Sequence, residues 1–282
     1  MKKFMIIFGY NQQQEMREGR LEALDLAASR LKPRQEWMWF HCASVGEFEQ
    51  ARPVMEAWRS SHPEDAFLLS FYSASGWEAF ARRQPEWWTA ADHVTAMPLD
   101  VRATMRLFVQ AAGGAERLRG LLFAKYDVWP TLVADLNQAR VPVGLFAGHV
   151  LPGRWPFRWG GGYQRQAWKA MRHVWVQTEA SLTTLSAFGV NAEIAGDPRF
   201  DRVLDAVGRH QPDQALQTWV SDRPCLVAGS AWQPEWDAAR ALKQIRRPSR
   251  RPARSGTPRS RRRTTCLTTS ATIRTCPCRS PR

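Results

Sequence analysis

The chain has 282 residues, of which 44% are hydrophobic and 14 are Trp, enough for one large or two ordinary domains with a sizeable core. Its formal charge of +14 is typical of a nucleic-acid-binding protein, but the segment from Ile245 to Arg282 holds 12 Arg and no Asp or Glu. The rest of the chain holds 28 basic and 26 acidic residues, which argues against a broadly basic nucleic-acid-binding surface.

At the N-terminus, the apolar run from Phe4 to Tyr10 is too short to span a membrane or to form the core of a signal peptide. It is a first buried strand, a frayed end or the remnant of a membrane anchor. Helices and strands then alternate with short loops, which predicts a parallel sheet covered on both faces. The predicted helices are Gln12–Leu31, Glu49–Trp58, one from Trp77, Thr131–Ala139, Trp168–Met171 and Glu179–Phe188. The predicted strands are Trp37–His41, Phe67–Tyr72, Leu121–Phe123, Val141–Phe146, Val174–Gln177 and Ala192–Ala195.

This pattern breaks near residue 208. Residues 208–222 are polar and predict a linker or a hinge helix. Residues 223–244 restart with a strand, Cys225–Ala228, and an acidic helix start at Glu235. Residues 245–282 contain no aromatic and almost no aliphatic residues, so we predict that this Arg-rich tail is disordered. Residues 1–207 would then form the first domain, and residues 223–244 only the start of a second.

Cysteine usage is sparse outside the tail. Cys42 and Cys225 lie far apart in the body of the chain, which fits a reduced, cytoplasmic protein without a disulfide framework. In the tail, Cys276-Pro277-Cys278 has one-residue spacing and no neighbouring His, unlike a zinc site. We therefore expect no metal and no cofactor.

The turn after the first predicted strand combines small residues with acids, since Ser44 and Gly46 precede Glu47. In parallel α/β sheets ligands bind where strands end, and the amides of a helix N-terminus there can hold an anion. A serine hydrolase does not fit this turn, because its nucleophile follows a glycine two residues earlier and Cys42 stands there.

Five segments carry a resemblance to a known family. In chain order they are WFHCASVGEFEQARPVMEAW, FAKYDVWPTLVADL, VQTEASLTTLSAFGV, AGDPRFDRVLDAV and RPCLVAGSAW. Together they resemble the 3-deoxy-D-manno-octulosonic acid (Kdo) transferases of lipopolysaccharide synthesis, in the form found in the Bacteroidetes. The resemblance covers roughly residues 12–240.

The resemblance implies a GT-B glycosyltransferase fold, in which two Rossmann-like domains hold the active site between them. The first domain would bind the lipid A precursor (lipid IVA), and the second would bind CMP-Kdo. Kdo would pass to a sugar hydroxyl of the acceptor with inversion and without a metal. The implied location is peripheral, at the cytoplasmic face of the inner membrane, with CMP-Kdo, the lipid A precursor and the membrane surface as partners and no specific nucleic acid.

A proton acceptor is also implied by the resemblance. The family's base is a glutamate shortly after a Gly-Arg pair, here Gly19-Arg20, and the matching position holds Asp25, with Glu22 the nearest glutamate. A carboxylate there could accept the proton of the attacking hydroxyl. The alternative is that both acids only solvate a helix face.

Two further charged residues would support the transition state. The KYDVWP segment places Asp127 in the family's acidic turn, and GDPRFD places Arg199 where the family has Lys. Helix capping is the alternative for Asp127. The implied acceptor-binding residues are Ser44, Gly46, Glu47, Ser73, Ser75 and Gly76, and the implied donor-binding residues are Ser230 and Glu235. For the serines, ordinary turn chemistry is the alternative.

Only the beginning of the family's second, donor-binding domain is recognisable in this sequence. The further strands and the basic loop of the family's second domain have no counterpart after residue 244. An abrupt switch to Arg, Pro, Ser and Thr is what GC-rich DNA yields when it is read out of frame, so we expect a truncated, inactive form of the transferase. The alternative is a non-enzymatic protein whose 12 tail Arg bind polyanions.

Overall fold

The structure is a computed structural model that describes residues 21–125, 127–153, 156–157, 161–209, 213–220, 225–228, 230–245, 265–268 and 273–275. It divides into two compact units, Met1–Gly208 and Arg209–Arg282. The apolar run Phe4–Tyr10, the Gly19-Arg20 pair and most of the Arg-rich tail lie outside the described residues.

The described part of the first unit alternates strands and helices. The strands are β1 (Trp37–Cys42), β2 (Ala66–Phe71), β3 (His93–Ala96), β4 (Leu118–Ala124), β5 (Val143–Gly148), β6 (His173–Val176) and β7 (Glu193–Ile194). The helices are α1 (21–29), α2 (Val45–Ser61), α3 (Ala74–Arg82), α4 (Arg102–Ala111), α5 (Pro130–Gln138), α6 (Gly162–Ala170), α7 (Glu179–Ala187) and α8 (Arg199–Arg209). All neighbouring strands are parallel, in the order β3-β2-β1-β4-β5-β6-β7. The predicted α/β class is confirmed.

Side chains of β1 divide the core between the two faces of the sheet. Trp37 and Trp39 are fully buried on the face that α1, α4 and α5 cover. Met38 and Phe40 are buried on the opposite face, against α2 and α3. Because both faces are covered, the sequence of the strand is a continuous apolar run. Burial of each large side chain contributes about 1.5–3 kcal/mol to the free energy of unfolding.

The order of the strands places β1 between β2 and β4. The chain therefore leaves β1 toward one edge of the sheet through β2 and β3, then crosses back to continue from β4 to the other edge. At such a reversal the loops after the two central strands diverge and leave a crevice, where α/β proteins bind ligands. Here those loops are the β1–α2 turn and the β4–α5 turn.

Three elements of the first unit, β3, α4 and α8, were not predicted from the sequence. Helix α4 packs on the sheet through Met105 and Phe108, and the ring of Phe108 stacks on Trp39 with centroids 5.1 Å apart. Strand β3 is a four-residue edge strand in which only Thr95 is buried. A strand this short and this exposed carries almost no apolar periodicity.

The described part of the second unit contains α9 (Gln214–Val220), β8 (Cys225–Ala228), α10 (Gln233–Ile245), β9 (Thr265–Thr268) and β10 (Ile273–Thr275). Strand β8 and helix α10 lie where the sequence predicts them, and α9 lies within the predicted linker. Strand β8 pairs antiparallel with β9, and β9 with β10, unlike the parallel pairing of a Rossmann-like domain.

The pairing of β9 and β10 differs from the predicted disorder of the tail. Their Thr and Ile residues favour extended backbone, and an open strand edge such as that of β8 recruits such segments. Within the described ranges, every helix falls short of the length or hydrophobicity that a bilayer span requires.

Gly46, which follows β1, and Gly76, which follows β2, give a matched test of packing. A Cβ added at Gly76 would lie 2.4 Å from Cδ1 of the buried Phe71, whereas one at Gly46 would meet nothing closer than Ser44 Oγ at 3.9 Å. We expect Gly76→Ala to lower the free energy of unfolding by about 1–3 kcal/mol. Gly46→Ala should leave it unchanged or raise it by up to about 1 kcal/mol, since Ala is the better helix former. Urea denaturation checks this, and equal midpoints for the two variants would contradict it.

Candidate active site

The two turns at the reversal of the sheet are joined by a buried hydrogen bond. His41 is the penultimate residue of β1 and is 1% exposed. Its Nε2 lies 3.2 Å from Oδ2 of Asp127, which follows β4. The indole Nε1–H of Trp129 donates to the same oxygen at 3.1 Å. Asp127 is thus held by one residue from each side of the crevice.

The other side of the His41 ring is bound within the sheet. Its Nδ1 lies 2.9 Å from Oγ of Ser70 on β2, and Trp39 Nε1 donates to the same Oγ at 2.8 Å. The register of the parallel pairs sets this contact, because His41 stands opposite Ser70 on β2 and opposite Phe123 on β4. A chain of hydrogen bonds therefore runs from Trp39, inside the core, through Ser70 and His41 to the carboxylate of Asp127 in the crevice.

Glu47 is the second carboxylate of the crevice. It lies in the first turn of α2 and is 5% exposed. Its Oε2 accepts a hydrogen bond from the backbone N–H of Ala43, while the N-cap residue Ser44 makes no side-chain cap. Glu47 therefore satisfies an N–H at the helix start, as the glutamate of a capping box does.

The two carboxylates have opposite pKa shifts. Burial raises the pKa of Glu47 to about 7, and the negative charge of Asp127 adds to this, whereas the Ala43 N–H and the charge of Lys125 act against it. Burial also raises the pKa of Asp127, but the hydrogen bond and electrostatic interaction with His41, together with the hydrogen bond from Trp129, outweigh it, so that this pKa lies below its usual value. An adjacent pair of this kind has one ionised acid and one that can take up or release a proton near neutral pH.

The serines of the next turn bond within that turn. Ser73 is the N-cap of α3, and its Oγ accepts from the Gly76 N–H at 3.3 Å and lies 3.0 Å from Ser75 Oγ. The Ser73 N–H donates to Ala43 O at 3.0 Å, which fixes this turn against the β1–α2 turn. Gly76 is buried against Phe71, whereas Gly46 is exposed and has open space beside it, so only Gly46 leaves room for a ligand.

Arg199 lies in a segment that is bound to α2. The buried Gln50 donates from Nε2 to Asp197 Oδ2 at 3.2 Å, and Asp197 pairs with Arg199 at 2.5 Å. Arg202 pairs with Glu49, also on α2. The GDPRFD segment is therefore placed beside the helix that begins at the crevice, although the exposed Arg199 is paired with Asp197 and not with Asp127.

The remaining predicted residues belong to α1 and to the second unit. Glu22 and Asp25 are exposed on α1, and no hydrogen bond or ion pair joins either of them to another described residue. In the second unit, Glu235 accepts from the Trp232 N–H at 2.9 Å and so caps α10. Ser230, with a φ of 52°, lies in the turn before that helix.

Two other chemistries receive no support from the described residues. Nowhere among them do three His, Cys, Asp or Glu side chains come close enough to hold a metal ion. Cys42 is fully buried, and burial, followed by the charge of Glu47, raises the pKa of its thiol well above the usual value. A thiol in that state is a poor nucleophile.

Comparison with known proteins agrees with this arrangement. Residues 14–202 match the family model described as 3-deoxy-D-manno-octulosonic-acid transferase (kdotransferase). The chain belongs to the kdotransferase family. The match spans α1 to the first turn of α8 and thus includes both turns of the crevice.

Individual relatives are distant. The chain is 21% identical to a 3-deoxy-D-manno-octulosonic acid transferase of Haemophilus influenzae over 208 residues, 72% of this chain and 47% of that protein. It is 19% identical to a bifunctional glycosyltransferase/methyltransferase of Fusobacterium nucleatum over 201 residues, 70% of this chain and 30% of that protein. The chain thus spans less than half the length of either relative.

Among solved structures, UGT71G1 of Medicago truncatula, crystallised with UDP-glucose, is similar at 12% identity and a TM-score of 0.37, covering 75% of this chain and 64% of that one. The family and the two curated relatives support a glycosyltransferase.

Several residues of the kdotransferase-family crevice were not predicted from the sequence. His41 and Trp39 lie together in the first family-like segment and Trp129 lies in the second, but Ser70, which bonds to both His41 and Trp39, lies outside all five segments. The available signal was the polar Ser70 in the middle of the apolar strand AFLLSF. A buried hydroxyl needs a hydrogen-bond partner, so its presence there indicated a polar contact inside the sheet.

The raised pKa of Glu47 predicts a pH-dependent stability. Since the folded-state pKa of about 7 exceeds the usual 4.5, the folded protein binds this proton more tightly, and ionisation as the pH rises from 4.5 to 7 lowers the free energy of unfolding. Glu47→Gln cannot ionise and keeps an acceptor for the Ala43 N–H. We expect its advantage over the wild type to grow from pH 5 to pH 8, reaching about 1–2 kcal/mol after allowance for solvent screening.

Urea denaturation at the two pH values measures this difference. Glu78→Gln, at an exposed position of α3, controls for the loss of a negative charge. A stability difference for Glu47→Gln that is the same at pH 5 and pH 8 would show that Glu47 ionises freely in the folded state.

Proposed function

We propose that the first unit is the acceptor-binding part of a Kdo transferase, which transfers Kdo from CMP-Kdo to the lipid A precursor lipid IVA in lipopolysaccharide core synthesis. One observation carries this proposal. Two of the motifs that resemble the family, HCASVGE and KYDVWP, meet at the reversal of the sheet through the hydrogen bond between His41 and Asp127.

The chemistry of the crevice fits a sugar acceptor. Carboxylates accept hydrogen bonds from sugar hydroxyls, and bonds to a charged group contribute about 1.5–3 kcal/mol each. Asp127 and Glu47 are fixed before any ligand binds, by ring N–H donors and by a backbone N–H respectively. A preorganised site of this kind avoids part of the entropic cost of ordering its groups on binding.

In this proposal an acid of α1, Asp25 or Glu22, accepts the proton of the attacking hydroxyl. Both acids are exposed and so accessible to a ligand. Asp127 and Arg199 would stabilise the transition state, as the family resemblance implies. The donor CMP-Kdo would be bound by the second domain, to which Ser230 and Glu235 belong.

The location follows from the proposed acceptor. A protein that acts on a lipid precursor would associate peripherally with the cytoplasmic face of the inner membrane. The Arg-rich tail, which lies outside the described residues for most of its length, carries charge that anionic headgroups attract at about 1 kcal/mol per Arg near the surface.

Lipid IVA binding by the full chain tests the acceptor site. Because Gly46 is exposed beside open space, Gly46→Leu should fold normally and weaken lipid IVA binding at least about tenfold by occupying that space. Asp127→Asn should weaken it by about 10- to 100-fold, because a hydrogen bond to an ionised group is lost. Isothermal titration calorimetry in detergent gives both dissociation constants.

Two controls give this test its specificity. Gly208→Leu also places a side chain where no atom lies within 4 Å, but on α8, and should leave lipid IVA binding unchanged. Phosphatidic acid, which has acyl chains and a phosphate but no glucosamine, should bind all variants equally. Lipid IVA binding that is absent, or that is insensitive to both Gly46→Leu and Asp127→Asn, would refute the proposal.

Transfer is a separate measurement. Formation of Kdo-lipid IVA from CMP-Kdo and lipid IVA, as followed by mass spectrometry, would support the proposed reaction directly.

A further inference from the structure

The hydrogen-bonded chain behind Asp127 has a defined direction. It runs from Trp39 through Ser70 and His41 to Asp127, with distances of 2.8, 2.9 and 3.2 Å. Trp39 and Ser70 are fully buried, and His41 is 1% exposed. The chain therefore lies inside the core, where an unmade hydrogen bond is not replaced by water.

The chemistry of the two end groups fixes every proton in between. An indole N–H can only donate, so Ser70 Oγ accepts from Trp39. An ionised carboxylate can only accept, so His41 Nε2 carries a hydrogen and donates it to Asp127. The one arrangement that also satisfies the Ser70 hydroxyl has it donating to Nδ1 of His41. The imidazole is then neutral, with its hydrogen on Nε2.

The orientation of the ring is fixed by its neighbours. The His41 imidazole lies edge-to-face against Phe123 and Trp129, with centroids 5.7 and 5.6 Å away and interplanar angles of 78° and 80°. A ring flip would place carbon atoms against Ser70 and Asp127 and break both hydrogen bonds. Packing thus fixes the plane of the ring, and the two hydrogen bonds select its flip state and its tautomer.

We propose that His41 is a positioning residue, which as the neutral Nε2–H tautomer holds the carboxylate of Asp127 in place for the acceptor, and that Trp39 and Ser70 fix this tautomer from within the core. The part that concerns the acceptor rests on the proposed function. Both ring donors bind Oδ2 and neither engages Oδ1, and the Asp127 side chain remains 34% exposed. The other charged groups that act on this crevice are Glu47 and Lys125.

The first test is a measurement on the wild-type protein. In the full chain labelled with ¹⁵N at histidine, His41 should show a pyridine-type Nδ1 and a pyrrole-type Nε2 at pH 7.5, with the assignment made from His41→Gln. A ring with its hydrogen on Nδ1, or with both nitrogens protonated, would overturn the proposal.

The second test separates positioning from packing. His41→Leu removes the donor, and the pKa of Asp127, followed by ¹³C NMR of its carboxyl group, should rise. His41→Gln, whose amide can still donate to Asp127, should retain most of the wild-type value. Ser181→Ala removes another fully buried hydroxyl that is bonded to Val150, and should leave the Asp127 pKa unchanged. Equal Asp127 pKa values in the wild type and His41→Leu would also overturn the proposal.

The lipid IVA assay then tests whether the hydrogen-bonded chain from Trp39 to Asp127 affects ligand binding. His41→Leu should weaken lipid IVA binding about as much as Asp127→Asn does, and His41→Gln should weaken it less. Failure of the proposed function, seen as no lipid IVA binding by the wild type, would leave both NMR results as they are. The opposite failure is a different tautomer of His41 together with lipid IVA binding that still depends on Asp127. In that case His41 has no positioning role, and the acceptor proposal stands.

Discussion

The hydrogen bond between His41 and Asp127 joins the two strands at which the sheet reverses its order. The arrangement of the crevice follows from this contact. It holds the β4–α5 turn against β1 and places an ionised carboxylate beside Glu47, which in turn raises the pKa of Glu47. The interaction is strong because His41 is buried and Asp127 half-buried, in surroundings where the bond competes little with water.

Glu47 both stabilises the start of α2 and has a pKa near neutral pH. Its carboxyl group satisfies the Ala43 N–H where α2 begins, and that bond by itself favours the ionised form. Burial and the charge of Asp127 favour the protonated form more strongly. The helix cap therefore fixes the position of the acid, and the surroundings set its affinity for a proton, so neither role excludes the other.

Much of the fold could be predicted because its local signals agree. Strand β1 is apolar along its whole length, the small residues after it form a turn, and the apolar side chains of α2 follow a helical period, so element types and turn positions were predictable. The predictions failed at the half-buried edge strand β3, where the local apolar pattern is weak. They also failed at β9 and β10, whose extended structure comes with pairing to a neighbouring strand. For α4, the apolar spacing of Met105 and Phe108 was available but was accompanied by no motif.

The sequence by itself determined the α/β class, the turns at which ligands would bind, and the presence of Glu47 and Asp127 in two of those turns. Only the tertiary structure decided which residues meet. The strand order places β4 beside β1, so His41 contacts an acid 86 positions later, and the register places it opposite Ser70, 29 positions later. Strand order and register depend on how both faces of the whole sheet pack at once. No local pattern in the sequence encodes this combined packing.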